Sequence, residues 1–191
     1  MPGEHRTISS ESIFRGRIFE VLVEEVELPS GDRAYREFVK HPGAVAVVAL
    51  QEETEEKTVL LVEQMRHPVG EKLLEIPAGK LDKPGEEPQA CAARELEEET
   101  GFRATSLTLI ASYYSTPGFT NERMTIFLAE QLERVGDPPE ADEGEPIALS
   151  KIPIEKAVEL IRQGAISDSK TIVGILMAIQ HLEHQKSHDS G

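Results

Sequence analysis

Residues 79–102 read GKLDKPGEEPQACAARELEEETGF, and this stretch decides how the rest of the chain is read. Pro88 suits a first helical position, and Gly101 is well placed to end the helix, so a helix is expected over Gln89 to Thr100. Ala92, Ala93, Leu96 and Thr100 would share its core-facing side. Glu95, Glu98 and Glu99 stand at i, i+3 and i+4 and therefore project from one face. Like charges at that spacing destabilise a helix by about a few tenths of a kcal/mol per pair. A cluster of carboxylates on an element anchored in the core is what a hard, oxygen-seeking cation such as Mg²⁺ or Mn²⁺ requires.

In a chain with 35 acidic residues, a glutamate triplet alone is more often a solvated face than a site. The pattern is longer than a triplet. Glu86 is followed after seven residues by Arg94-Glu95, then Leu96, one residue, Glu98-Glu99, one residue, Gly101 and Phe102. At this chain's own residue frequencies, a chance match over all windows is roughly a few in ten thousand.

Working outward, strands are expected on both sides of the helix. Ile18 to Leu28 alternates in part, Pro29-Ser30-Gly31-Asp32 is a turn, and Ala34 to Lys40 reads as the returning strand of a hairpin. Ala44 to Leu50 is an unbroken apolar run, as in a buried strand. Thr58 to Val62 and Leu73 to Ile76 follow, then Leu107 to Tyr114 and Met124 to Ala129 beyond the helix. Glu133 to Glu145 is a Pro/Gly/acid-rich loop leading into an apolar strand, Pro146 to Leu149. Ile154 to Gln163 is a helix closed by Gly164. Ser167-Asp168-Ser169 offers caps for a last helix, whose Ile172, Ile175, Leu176, Ile179 and Leu182 recur at helical spacing. Residues 1–12 are polar and expected to be loose. The fold class that follows is α+β with a mixed sheet, divided into an N-terminal β region at 1–40 and a main domain at 41–191.

Composition narrows the function. A formal net charge of -15 argues against a phosphate-backbone surface, so no nucleic-acid partner is expected. Cys91 is the sole cysteine, which leaves no intramolecular disulfide and no cysteine-based zinc site. No apolar run has the length of a membrane span, and the first thirty residues contain no signal-peptide pattern. A cytoplasmic protein without a membrane partner is the expectation.

The segment 79–102 resembles the signature of the Nudix hydrolase family, G-x5-E-x7-R-E-U-x-E-E-x-G-U, where U is a bulky apolar residue. One departure is that six residues, not five, separate Gly79 from Glu86; the extra residue falls in a loop, where insertions are cheap. The resemblance implies an α/β/α sandwich around a mixed sheet, plus the small N-terminal hairpin region. It implies Mg²⁺-dependent hydrolysis (Mn²⁺ as a substitute) of a nucleoside diphosphate linked to another moiety. By motif position Glu95 and Glu99 would be metal ligands, Glu98 a ligand or near neighbour with a catalytic part, and the carbonyl of Ala78 a further ligand. Glu86 would hold a water or Arg94, and Arg94 would orient the glutamates.

Flanking residues point to a substrate. Ser115-Thr116-Pro117-Gly118-Phe119-Thr120-Asn121-Glu122 places Pro117 fifteen residues beyond Phe102, which resembles the ADP-ribose pyrophosphatase branch of that family. Residues 39–45, 63–66 and 74–79 resemble the same branch. By that resemblance Arg66 binds the diphosphate, Glu75 lies beside the metals, and Pro117, Gly118 and Phe119 line the substrate. An acid of the loop 140–145 would act as metal ligand or general base, with Glu145 the better match and Glu143 the second. The implied reaction converts ADP-ribose to AMP and ribose 5-phosphate. The branch also implies a homodimer in which the N-terminal hairpin helps build the partner's substrate pocket. Other diphosphates (NADH, FAD, a nucleotide sugar, a dinucleoside polyphosphate) are the nearest alternatives. A non-catalytic Nudix-like ligand sensor is the alternative from a different class, disfavoured because every acid of the motif is retained.

Overall fold

The computed structural model describes residues 5–52, 56–136 and 148–189. The backbone clusters into two compact units, Met1–Gly43 with Tyr114–Arg123, and Ala44–Tyr113 with Met124–Gly191.

The first unit is built on three antiparallel strands, β1 (Arg6–Arg15), β2 (Glu20–Glu27) and β3 (Arg33–Lys40), in the order β1-β2-β3. The hairpin expected from the turn at 29–32 is β2–β3, with Val26 paired to Ala34 and Val21 to Val39. Residues 1–4 lie outside the described residues; over residues 6–12 the expectation of a loose segment 1–12 is overturned, because they belong to the strand Arg6–Arg15. Its ten positions are all exposed, so it carries no burial signal. The ladder to β2 holds it, interrupted by irregularities at Thr7/Ser9 and Ser12/Phe14, with ion pairs Arg6–Glu27 and Arg15–Glu20 both at 2.9 Å. The segment 115–122 joins this unit through Val39 N–H donating to the Phe119 carbonyl at 2.7 Å and His41 N–H donating to Asn121 Oδ1 at 2.7 Å.

The second unit contains β4 (Ala44–Glu52), β5 (Lys57–Arg66), β6 (Glu71–Glu75), β7 (Ala78–Lys80), α1 (Pro88–Thr100), β8 (Phe102–Tyr114), β9 (Arg123–Arg134), β10 (Ala148–Pro153), α2 (Ile154–Arg162) and α3 (Ser169–Asp189). The sheet runs β10-β5-β4-β9-β8, with β6 added to β5 and β7 to β4. It is mixed because β4 pairs with β9 in parallel, while β5 and β7 lie antiparallel to β4.

β4 explains its own unbroken apolar sequence. Successive side chains of a strand point to opposite faces. Ala44, Ala46, Val48 and Leu50 pack into a core with Ile154, Ala157, Ile175 and Ala178 of α2 and α3. Val45, Val47 and Ala49 pack into a second core with Cys91, Ala92 and Leu96 of α1. Both faces of the sheet are therefore covered by helices, which gives the α/β/α sandwich. Among the described residues, no helix is long and apolar enough to cross a membrane.

Candidate active site

Helix α1 starts on Pro88 and stops at Gly101, whose backbone sits at φ 72, a left-handed conformation glycine adopts without strain; its N–H returns to the Glu97 carbonyl at 2.9 Å. Cys91, Ala92, Leu96 and Thr100 are the buried positions. Ala93, expected on the core side, is only half-buried, and Cys91 fills that role instead. Burial pushes the Cys91 thiol up to about 12, so it is an apolar filler and not a nucleophile.

With that face anchored, the acids are held on the other side by one cation. Arg94 grips Glu86 with two bonds, Nε to Oε1 at 2.9 Å and Nη2 to Oε2 at 3.0 Å. Its Nη1 donates to Glu95 Oε1 at 2.7 Å and to Glu98 Oε2 at 2.8 Å. The guanidinium holds the Glu86 carboxyl below the usual range. For Glu95 burial wins over Arg94, and the carboxyl is pushed up.

Glu99 is different. Its Oε2 accepts the Ala78 N–H at 3.1 Å, and among the described residues no cation forms an ion pair with it. Burial pushes its carboxyl up to about 7, with the Ala78 bond opposing and the charge of Glu95 adding. A half-buried carboxylate with no cation paired to it, next to a second raised carboxylate, is an oxygen donor set that fits a hard divalent cation. No group of three His, Cys, Asp or Glu side chains converges as a metal site among the described residues, because Glu95 and Glu98 are turned onto Arg94. The Glu95 carboxyl also lies directly over Gly79, where any Cβ would run into it.

Arg66, at the end of β5, meets Glu75, at the end of β6, through a fork: Nε to Oε1 at 2.6 Å and Nη2 to Oε2 at 2.5 Å. Lys170, in the first turn of α3, also donates to Glu75 Oε2, and to Asp168 Oδ2 at 3.0 Å. Burial alone would raise Glu75, but the two cations outweigh it and hold the carboxyl below its ordinary range. Lys170 is a buried residue of this cluster that the sequence reading missed. The available signal was a lysine directly after the Ser167-Asp168-Ser169 cap, at the start of a helix that buries its apolar face.

Pro117, Gly118 and Phe119 lie in the first unit, in a turn closed by Phe119 N–H and Thr120 N–H on the Thr116 carbonyl, at 3.2 and 3.1 Å. The Phe119 ring is exposed. Glu143 and Glu145 fall outside the described residues.

Glu99 has a measurable pH signature. Its folded-state carboxyl is raised from 4.5 to about 7, so its contribution to stability is fully present below pH 4.5 and lost as pH rises through 7. Metal-stripped protein should lose up to about 3 kcal/mol from this group over that window. Thermal melts in chelator from pH 5 to 8 would show it, as a decline that E99Q flattens. Equal slopes for both proteins would remove Glu99 as the cause.

The fold and these clusters define a class. A NUDIX domain model matches residues 40–172, more than half of the chain, and the chain belongs to the Nudix family. It is 45% identical over 180 residues to an ADP-ribose pyrophosphatase of Bacillus subtilis, covering 94% of this chain and 93% of that one. It is 40% identical over 184 residues to a methanol dehydrogenase activator of Bacillus methanolicus, covering 96% and 95%. A crystal structure of an ADP compounds hydrolase shares the fold with a TM-score of 0.81 at 24% identity, over 95% of this chain and 96% of that one.

Proposed function

We propose that this chain hydrolyses the diphosphate of ADP-ribose to AMP and ribose 5-phosphate, using Mg²⁺, with Mn²⁺ as a substitute. The observation that carries the reading is Glu99, a half-buried carboxylate without a paired cation, with Glu95 beside it and Arg66 within electrostatic reach. Metal-binding oxygens and a phosphate-binding guanidinium thus belong to one folded unit. The substrate itself is supported by the full-length similarity to the Bacillus subtilis enzyme.

Glu95, Glu98, Glu99 and the Ala78 carbonyl would hold the metal. When bound, Mg²⁺ supplies positive charge that neutralises the phosphates and makes a water acidic enough to attack near neutral pH. Arg66 orients the diphosphate through donors that Glu75 does not use. By the resemblance to the ADP-ribose pyrophosphatase branch, Pro117, Gly118 and Phe119 would contact substrate. Arg94 and Glu86 keep the metal-binding acids in register. Glu145, or Glu143 next to it, takes the proton of the attacking water as an oxygen of that water bonds to phosphorus. The P–O–P bridge then breaks and its oxygen leaves with one phosphate.

Product analysis with ADP-ribose, NADH, FAD, nucleotide sugars and a dinucleoside tetraphosphate tests this, each with Mg²⁺ and with excess chelator. ADP-ribose is expected to have the highest kcat/KM and chelator to abolish turnover. Another diphosphate about tenfold better would refute the substrate assignment, and full turnover in chelator the metal.

A cytoplasmic homodimer completes the reading. The N-terminal sheet leaves Ile13, Phe14 and Ile18 exposed and the outer edge of β1 open, a surface suited to a second copy. Light scattering would reject the dimer if the fully active species has the mass of one 21.1 kDa chain.

A further inference from the structure

The bond network around Glu75 runs beyond the Arg66 pair and ends on a second cation. Glu75 is 1% exposed and Lys170 8% exposed, so both are ions taken out of water. Lys170 donates to Glu75 Oε2, the same oxygen that receives Arg66 Nη2. Its other acceptor is Asp168 Oδ2, which also takes the Thr171 N–H at 3.0 Å and the Thr171 hydroxyl at 2.6 Å. Thr171 Oγ1 in turn accepts the Ile76 N–H at 2.9 Å. Glu75, the last residue of β6, and Ile76, which follows it, are thereby stapled to the first turn of α3 across 95 positions of sequence.

The charges decide what this arrangement does. A carboxylate that binds one guanidinium through both oxygens cancels its charge, and a cancelled Arg66 would attract a phosphate weakly. Here Glu75 is shared by two cations. The charge of Asp168 is met by the N-terminus of α3, whose Thr171 N–H it caps. Lys170 thus balances one of the two carboxylates, Glu75 and Asp168, that would otherwise both act on Arg66, and Arg66 Nη1 takes no part in the bonds to Glu75. Its side chain is 38% exposed, against 2% for that of Glu75, so the guanidinium is the member of the cluster that solvent or substrate can reach.

We propose that Lys170 is a positioning residue for substrate binding: by sharing Glu75 it fixes the guanidinium of Arg66 and leaves that cation's charge available to a nucleoside diphosphate. This rests on the reading of Arg66 as the diphosphate contact. It assigns Lys170 no contact with the reacting atoms.

The test compares the full-length chain with K170M, which keeps the length of the side chain without its charge, and with K170R, which keeps the charge. Steady-state kinetics on ADP-ribose are expected to show KM raised about tenfold or more in K170M, kcat changed less than about threefold, and K170R closer to wild type in KM than K170M. Calorimetric titration with the α,β-methylene analogue of ADP-ribose should show the same loss of affinity without turnover. A folded K170M with wild-type KM and analogue affinity, altered only in melting temperature, overturns the proposal. So does a K170M defect confined to kcat. If K170M does not fold, K170Q, a neutral side chain that can still hydrogen-bond Glu75 or Asp168, takes its place; its KM is expected to be raised, and a wild-type KM overturns the proposal. If the wild type prefers another diphosphate, the substrate assignment has failed, and the same three proteins on the preferred substrate still decide the role of Lys170.

Discussion

Glu99→Gln is expected to lower kcat by about a thousandfold while the protein stays folded. The amide keeps the shape of the side chain and can still accept the Ala78 N–H, now at 3.1 Å. It loses the negative charge that a divalent cation requires. The same charge is costly to the metal-free fold near neutral pH, since burial and Glu95 both raise Glu99. The two effects separate: activity collapses, while the melting temperature of stripped protein at pH 8 should rise. Paired measurements of kcat at saturating Mg²⁺ and of melting in chelator check both halves. A variant with near-normal kcat would take Glu99 out of the site, and a large fall in melting temperature would make it a structural residue.

Arg94→Met is expected to have the second largest effect, with damage to both stability and activity. Arg94 is the common donor to Glu86, Glu95 and Glu98, at distances from 2.7 to 3.0 Å. Removing it leaves three carboxylates facing one another with no cation between them, and two of them on adjacent turns of one helix. The melting temperature in chelator should fall by several degrees, and kcat/KM by about a hundredfold or more. Excess Mg²⁺ should restore part of the stability by supplying the missing positive charge. Arg94→Lys should recover little activity. A single ammonium cannot reproduce a two-bond grip on Glu86 and also reach Glu95 and Glu98. Wild-type kcat/KM in either variant would show that the glutamates hold their positions without Arg94.

The parts of this molecule legible in its sequence are those set by local spacing. The run Ala44 to Leu50 and the i, i+3, i+4 glutamates point to a buried strand and an acid-bearing helix without reference to distant residues; that helices cover both faces of the strand is seen only in the fold. Pro88 and Gly101 bound that helix at its observed ends. Strand ends were less legible: β5 continues past Val62 to Arg66, and β8 begins at Phe102 instead of Leu107. Pairing with neighbours, not side-chain alternation, sets those ends. β1 gave no signal because all of it is exposed. Lys170 was hidden for another reason. Its partner Glu75 lies 95 residues earlier, and only the docking of α3 on β6 brings them together. The role of Arg94 is intermediate: the motif pointed to it, while its simultaneous hold on three acids depends on the folded geometry.

The closeness of Glu95 to Gly79 changes how the 24-residue segment itself is to be understood. Its opening glycine and its central glutamate are sixteen positions apart in sequence, yet one occupies the space the other vacates. The motif is therefore a contact written into a linear string, with the loop between as a spacer whose length is free to vary. That freedom accounts for the tolerated extra residue between Gly79 and Glu86. It also means that positions 79 and 95 are expected to be inherited as a pair: a lineage that acquires a side chain at the first should carry a shorter acid at the second.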